Sequence, residues 1–523
     1  MTRILCALLI IATAHAQRGT GDWSTAAYDA QRSSWVRGDG KISYNTMSKP
    51  GFGLVWKLKF NNNPRGANSV TPPSLIDFYI GYKGFRTLGF FGGSSNRVIA
   101  VDTDIARVEW EKSYPVNPAA PTTPCPGGMT AGVTRPTSAS YPPLFAARGA
   151  GRSTPAKSGV GAAYEGAVTL RNTPPPRPPV AVAKPAANTP AVPNPFAPRV
   201  QYAIALTGDG KLHLLYISNG EEPNPATQFL PPNASAYGLI GLETQVYAAT
   251  ANGCGGVPDA VWALDLNTKK VSQWKSPGGS IAGNAGPAIA PDGTVYAATT
   301  GGFLAALAPG TLEQKSIYKN NGGGFVSSPV IFDYQGRMLI AAATAHGRFQ
   351  VLDPGNLQSN TPLTHTDRFG EQDYPVGSLT SWQDPAGVRW ILAPQHRGHI
   401  EDKFPTRNGE ANNGAIVAYK LTDQDGKFTL QPAWVSRDMP SPLAPIVVNG
   451  VVFAIASGRD AKSPAILYAL DALSGKEIWN SGTAIASFVT TGGLSAGGGR
   501  VYLSDHAGTQ YAFGFPMETL DAN

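Results

Sequence analysis

One pattern recurs along this chain and limits its fold more than any other feature. An apolar stretch ends in Ala-x-Asp, a turn follows, and a tryptophan stands eight or nine residues past the Asp. The clearest copies are Ala469-Leu470-Asp471 with Trp479, Ala263-Leu264-Asp265 with Trp274, and Ala100-Val101-Asp102 with Trp110. Weaker copies begin at Ala306, Val351 and Ala418, so the successive offsets from Ala263 to Ala469 are 43, 45, 67 and 51 residues. A repeat of this length matches one four-stranded sheet with its loops, a unit that cannot bury its own apolar faces and must stack on its neighbours.

Each unit follows one physical plan. A glycine turn opens it, as at Asn449-Gly450 or Gln335-Gly336, where glycine tolerates the positive φ of a tight hairpin. An alternating strand such as Val451-Val452-Phe453-Ala454-Ile455 comes next. The following strand, of the type Ile466 to Asp471, has a small Ala that lets a neighbouring sheet approach and an Asp that hydrogen-bonds the turn backbone. The last strand ends on Trp, which packs between sheets while its indole N–H finds an acceptor. A closed ring buries both faces of every sheet, which an isolated sheet cannot do. Composition agrees. The 60 Gly and 45 Pro are about a fifth of 523 residues, against a usual share of roughly 12%, which excludes a coiled coil or helical bundle.

The Ala-x-Asp-x-x-Thr-Gly-x-x-x-Trp pattern resembles the tryptophan-docking repeat of the pyrroloquinoline quinone (PQQ) enzymes and their relatives. The segment from Asp22-Trp23 through Tyr28-Asp29 to Arg32-Ser33 is similar to their opening segment. The resemblance covers nearly all of the chain except residues 115–199. It implies an all-β fold, an eight-bladed β-propeller of four-stranded antiparallel sheets. Seven blades stay open, because the second unit is degenerate. The ring is expected to close through the N-terminal stretch from Phe52 to Phe60 and the C-terminal stretch from Gln510 to Phe515.

The ends and the charges set the surroundings. Arg3, the apolar run from Ile4 to Ala12 and the Ala14-His15-Ala16 cleavage pattern read as a signal peptide over 1–16, leaving one domain over 17–523. Export to the periplasm or medium follows, with no Cys at the cleavage point to carry a lipid. No later run is apolar for about 20 residues, so no membrane-spanning helix is expected. Cys125 and Cys254 remain, and in an oxidising compartment a disulfide is favoured over two unpaired thiols. The formal charge of +7 lies entirely in residues 115–199, where eight bases face Glu165 alone. That Pro- and Ala-rich stretch reads as a largely disordered insert rather than a nucleic-acid surface.

The resemblance also implies chemistry to look for. Quinoprotein dehydrogenases hold PQQ on the ring axis with Ca²⁺ bound by Glu, Asn and Asp, an Asp as general base, and often a disulfide of adjacent cysteines. Asn252, in Val246-Tyr247-Ala248-Ala249-Thr250-Ala251-Asn252, matches the Asn ligand position for Ca²⁺ and cofactor, with a plain Asn252-Gly253 turn as the alternative. Adjacent cysteines are missing, and the stretch from Gly278 to Ala288, which should carry the base, contains no acid. His396, His399, Glu401 and Asp402 read as a solvent loop, and Asp505-His506 lacks a nucleophile elbow. Catalytic residues are therefore not assigned. The favoured function is a monomeric, non-catalytic binding or scaffold module of the cell envelope, facing an envelope protein or small-molecule ligand, as the barrel-assembly propeller subunit does in this superfamily. The alternative is a PQQ- and Ca-dependent dehydrogenase of alcohols or sugars.

Overall fold

The computed structural model describes residues 22–116, 122, 124–141, 201–242, 244–397, 400, 402–460, 462–490 and 493–516. The expected signal peptide and residues 142–199 of the insert lie outside them. Eight antiparallel sheets follow one another as the blades of a propeller: blade 1 (74–113), blade 2 (202–228), blade 3 (235–275), blade 4 (288–319), blade 5 (330–365), blade 6 (380–435), blade 7 (446–480) and blade 8 (495–514). The seven-blade alternative falls. Blade 2 is degenerate but present: Thr134 forms an isolated bridge with Ile204 where the other blades carry their innermost strand. Blade 8 takes its outermost strand from the other end of the chain. Gly53–Lys59 pairs antiparallel with Thr509–Gly514, which shuts the ring at the place the sequence indicates.

Tryptophans pin five of the eight blades to the next. Trp110 Nε1 donates to the Ile217 carbonyl of blade 2 (2.9 Å), Trp434 Nε1 to Ala472 of blade 7 (3.0 Å), and Trp56 Nε1 to Thr103 of blade 1 (2.8 Å). Thr103 and Ala472 each follow the Asp that ends a third strand. The Trp434 ring lies on Gly475, where a Cβ would come within 2.3 Å of it, so only glycine permits this approach. Trp479 packs on Phe52 and Phe513 of blade 8, with centroids 4.9 and 5.6 Å away. Trp274 departs from the rule by reaching the Gln314 side chain (3.3 Å) in blade 4.

Register explains that departure. In blades 1, 6, 7 and 8 an Ala stands opposite the Trp (Ala100, Ala418, Ala469, Ala512), and the ladder shifts by one residue beside that pair. Blade 3 has no shift and sets Val261 opposite Trp274, which accounts for its Asp-to-Trp spacing of nine rather than eight. Burying an indole removes about 150–250 Å² from water, an upper bound of roughly 4–6 kcal/mol per wedge.

The N-terminal segment 22–36 winds around the axis and bonds to blade after blade. Trp23 O accepts from Leu75 N (2.7 Å, blade 1) and Ser24 O from Arg135 N (2.7 Å, beside blade 2); Thr25 Oγ1 donates to Leu239 O (2.8 Å, blade 3). Ala30, Gln31, Ser33 and Ser34 carbonyls then accept from Ile289, Ile331, Ser381 and Val447, in blades 4 to 7. Arg32 is fully buried and ties blades 3 and 4 together by donating to Gly238 O (2.8 Å) and Pro287 O (2.9 Å). The tight winding puts Ala27, Tyr28, Arg32 and Ser34 in the left-handed region (φ 55, 82, 60 and 54°), conformations that this bonding must hold in place.

Part of the Pro-rich stretch belongs to the ring. Within 115–199, residues 124–141 include Pro136–Thr137, which pairs in parallel with Gly241 and Leu242 of blade 3. Arg135 Nη1 also meets Asp22 Oδ2 at 2.6 Å and donates to Leu75 O.

Candidate functional site

The segment 22–36 floors a cavity of about 630 Å³ that opens along the ring axis. Its walls are the connections leading into the innermost strands, including Ser69 to Ser74, Thr130 to Val133, Ser235 to Leu239, Ser280 to Ala285, Ser378, Ile446 and Leu494. This is the usual position of a propeller's ligand mouth, built from loops on a rigid scaffold.

The chemistry of the lining is unusual for an active site. Among the described residues it contains no Asp, Glu, Lys, Arg or His. Tyr237 is its one ionisable side chain, and the phenol donates to Ile281 O at 2.6 Å. Burial, then the charge of Asp259, raises the Tyr237 pKa further from neutrality. The amides and hydroxyls are largely engaged with the protein itself. Asn68 Nδ2 donates to the Gly127 and Met129 carbonyls, Thr130 Oγ1 to Ala236 O, and Ser378 Oγ to Asn284 Oδ1.

The disulfide expected from the sequence is formed at the rim of this cavity. Cys125 and Cys254 join with Cα atoms 5.5 Å apart, linking the stretch before blade 2 to a loop of blade 3. Asn252 lies beside it, also at the rim. Its Nδ2 donates to Pro124 O at 3.0 Å, and both Asn252 and Gly253 are left-handed (φ 64 and 62°), forming a turn at the start of the connection 252–259. A carboxylate at the rim, Asp259, was not singled out in the sequence because Val257-Pro258-Asp259 carries no pattern. Its Oδ1 accepts from Gly253 N (3.1 Å) and its Oδ2 from the Ser280 hydroxyl, so it braces the rim.

These residues do not fit PQQ with Ca²⁺. A hard cation takes six to eight oxygens, carboxylates prominent among them, and a quinone bearing several carboxylates needs cationic donors. The lining provides neither. Among the described residues no three of His, Cys, Asp and Glu converge on one point.

The remaining sequence candidates are scattered. His396 pairs with Glu371 (2.8 Å) and stacks on Tyr374, while Asp402 accepts from the Tyr419 hydroxyl; His399 and Glu401 lie outside the described residues. His506 stacks on Phe488 and its Nε2 meets Gly66 O, whereas Asp505 accepts from Thr509 N and the Tyr511 hydroxyl, so the two do not form a dyad.

No family model and no curated protein matches the chain. Solved structures similar to it include a quinohaemoprotein alcohol dehydrogenase from Comamonas testosteroni, with TM-score 0.54, 14% identity, 96% of this chain and 81% of that one covered. A europium-containing methanol dehydrogenase is similar at TM-score 0.52 and 12% identity, covering 88% and 85%. BamB from Moraxella catarrhalis is similar at TM-score 0.46 and 14% identity, covering 90% and 99%. At these identities the likeness to the two dehydrogenases establishes the shared propeller fold.

Proposed function

We propose that this chain is a non-catalytic propeller of an oxidising compartment, a binding or scaffold module that engages an envelope protein or an uncharged small molecule at its axial face. The observation that carries this reading is the uncharged lining of the axial cavity. Oxidising an alcohol through a quinone needs a base within reach of the substrate hydroxyl and a cation on the quinone, and the lining offers a group for neither. The Cys125–Cys254 bond supports an exported location, since such bonds persist outside reducing cytosol.

The competing reading, a PQQ- and Ca-dependent dehydrogenase, draws on the fold shared with the two dehydrogenases and on the match of Asn252 to the quinoprotein Asn ligand position. One experiment separates them. The purified protein is incubated with PQQ and Ca²⁺, then assayed for bound-quinone absorbance and for dye reduction with alcohols and aldoses. We expect neither stoichiometric quinone binding nor turnover. Turnover with any of these substrates overturns the proposal.

A further inference from the structure

The other end of the axis has a different chemistry. The innermost strands start at the cavity and run to hairpin turns; beside two of those turns, Asp333 stands near the end of the innermost strand of blade 5 and Arg389 at the start of the second strand of blade 6. The segment 22–36 leaves the axis here through Trp35 and Arg37. Arg37 and Arg389 both lie over the Trp35 indole, their Cζ atoms 4.4 and 5.6 Å from its centroid. Both side chains are buried, Arg389 being 5% exposed and the Arg37 side chain 8%.

Their hydrogen bonding is incomplete. Arg389 Nη2 donates to Asp333 O (2.7 Å), and Arg37 Nη2 stands 3.8 Å from Asp29 Oδ2. Yet among the described residues the Nε–H of each guanidinium has no acceptor, and the buried hydroxyl of Tyr141 has no partner. Tyr141 feels the charges of Asp333, Arg389, Arg37 and Asp29, so these groups share one electrostatic neighbourhood. Burial, then the like charge of Arg37, lowers the Arg389 pKa to about 10. A buried donor without an acceptor is costly, and a buried charge without a counter-ion more so. Arg37 and Arg389 face Asp29 and Asp333 here. Asp29 is committed to Ser33 through both oxygens (2.8 and 2.7 Å), and Asp333 Oδ1 accepts from Gly336 N.

We propose that this end of the axis is a binding site for a small carboxylate, which accepts from the Nε–H of Arg37 and of Arg389 and from the Tyr141 hydroxyl. The two oxygens of one carboxylate offer enough lone pairs for these three donors. A phosphate dianion would bring in twice the negative charge of a carboxylate. The site is separate from the axial cavity and does not depend on the function proposed for it.

The test uses the full chain with acetate as probe, against chloride at matched ionic strength and against inorganic phosphate. Acetate is expected to raise Tm saturably, by about 2–4 °C. The shift should vanish in Arg37→Gln and in Arg389→Gln and persist in Arg337→Gln, a half-exposed arginine outside this cluster. Should the first two variants fail to fold, NMR of selectively ¹⁵N-arginine-labelled wild type decides. Acetate must then move two arginine Nε–H resonances, and no movement overturns the site. An equal response to chloride, or an acetate shift surviving both cluster variants, overturns it as well. A saturable response to phosphate stronger than that to acetate overturns the assignment to a carboxylate.

Discussion

The two ends of the ring axis are shaped by the same N-terminal segment, yet they differ in kind. At the cavity end the segment presents Trp23, Thr25, Ala26, Ala27 and Ser34, and the lining is uncharged. At the far end, past Trp35, it presents Arg37 to Arg389. Between them sits Arg32, as buried as either but with Nε and both terminal nitrogens bonded, to Pro287, Thr25, Ala26 and Gly238. Buried charge is therefore not what separates a structural arginine from one available to a ligand. What sets Arg32 apart from Arg37 and Arg389 is that its Nε–H has found an acceptor within the fold.

The largest expected effect tests that separation directly. Arg32→Ala strands several carbonyls and breaks the tie between blades 3 and 4, and should cost about 3–5 kcal/mol in urea unfolding. Arg389→Met, by contrast, removes a guanidinium whose needs are only partly met and keeps apolar contact with Trp35 and Phe332. It should change stability by less than about 1.5 kcal/mol. Equal losses in the two variants would break the comparison.

A smaller effect is expected at the cavity rim. The Cys125–Cys254 bond closes a separation of 129 positions, so Cys125→Ser with Cys254→Ser should destabilise by about 2–4 kcal/mol, visible as a lowered Tm. The acetate response should survive in that variant, because the rim and the arginine cluster are separate. Its loss would mean that the two ends are coupled.

The smallest effect concerns pH. Burial raises the Asp29 carboxyl above its ordinary range, against the pull of Arg37 and the Ser33 hydrogen bonds. A folded pKa above the unfolded value of about 4 means that this contribution is complete below that pH and is lost as pH rises through the folded pKa. Asp29→Asn should flatten that decline in urea titrations from about pH 4 upward. An unchanged slope would show that Asp29 does not set it.

The sequence was most legible where physics repeats. Trp110, Trp274 and Trp479 stand at a readable spacing from an Asp. Trp434 does not, because the hairpin between Ala415–Gln424 and Lys427–Val435 is longer than its counterparts and puts the tryptophan beyond the usual distance. Trp56 escaped for a different reason. Its partner Ala512 lies at the opposite end of the chain, so its copy of the pattern exists only after ring closure. The Cys125–Cys254 pairing was accessible from residue count and compartment, but its place at the cavity rim was not.

By itself the sequence determined a ring of tryptophan-locked sheets, since spacing along one strand pair dictates which residues meet within a blade, and those contacts are local. Only the tertiary structure decided what lies on the axis. The innermost strands of all blades converge there, so residues distant in sequence become neighbours. Whether a buried N–H or carboxylate is satisfied then depends on acceptors contributed by other blades, a property that no single stretch of the chain encodes.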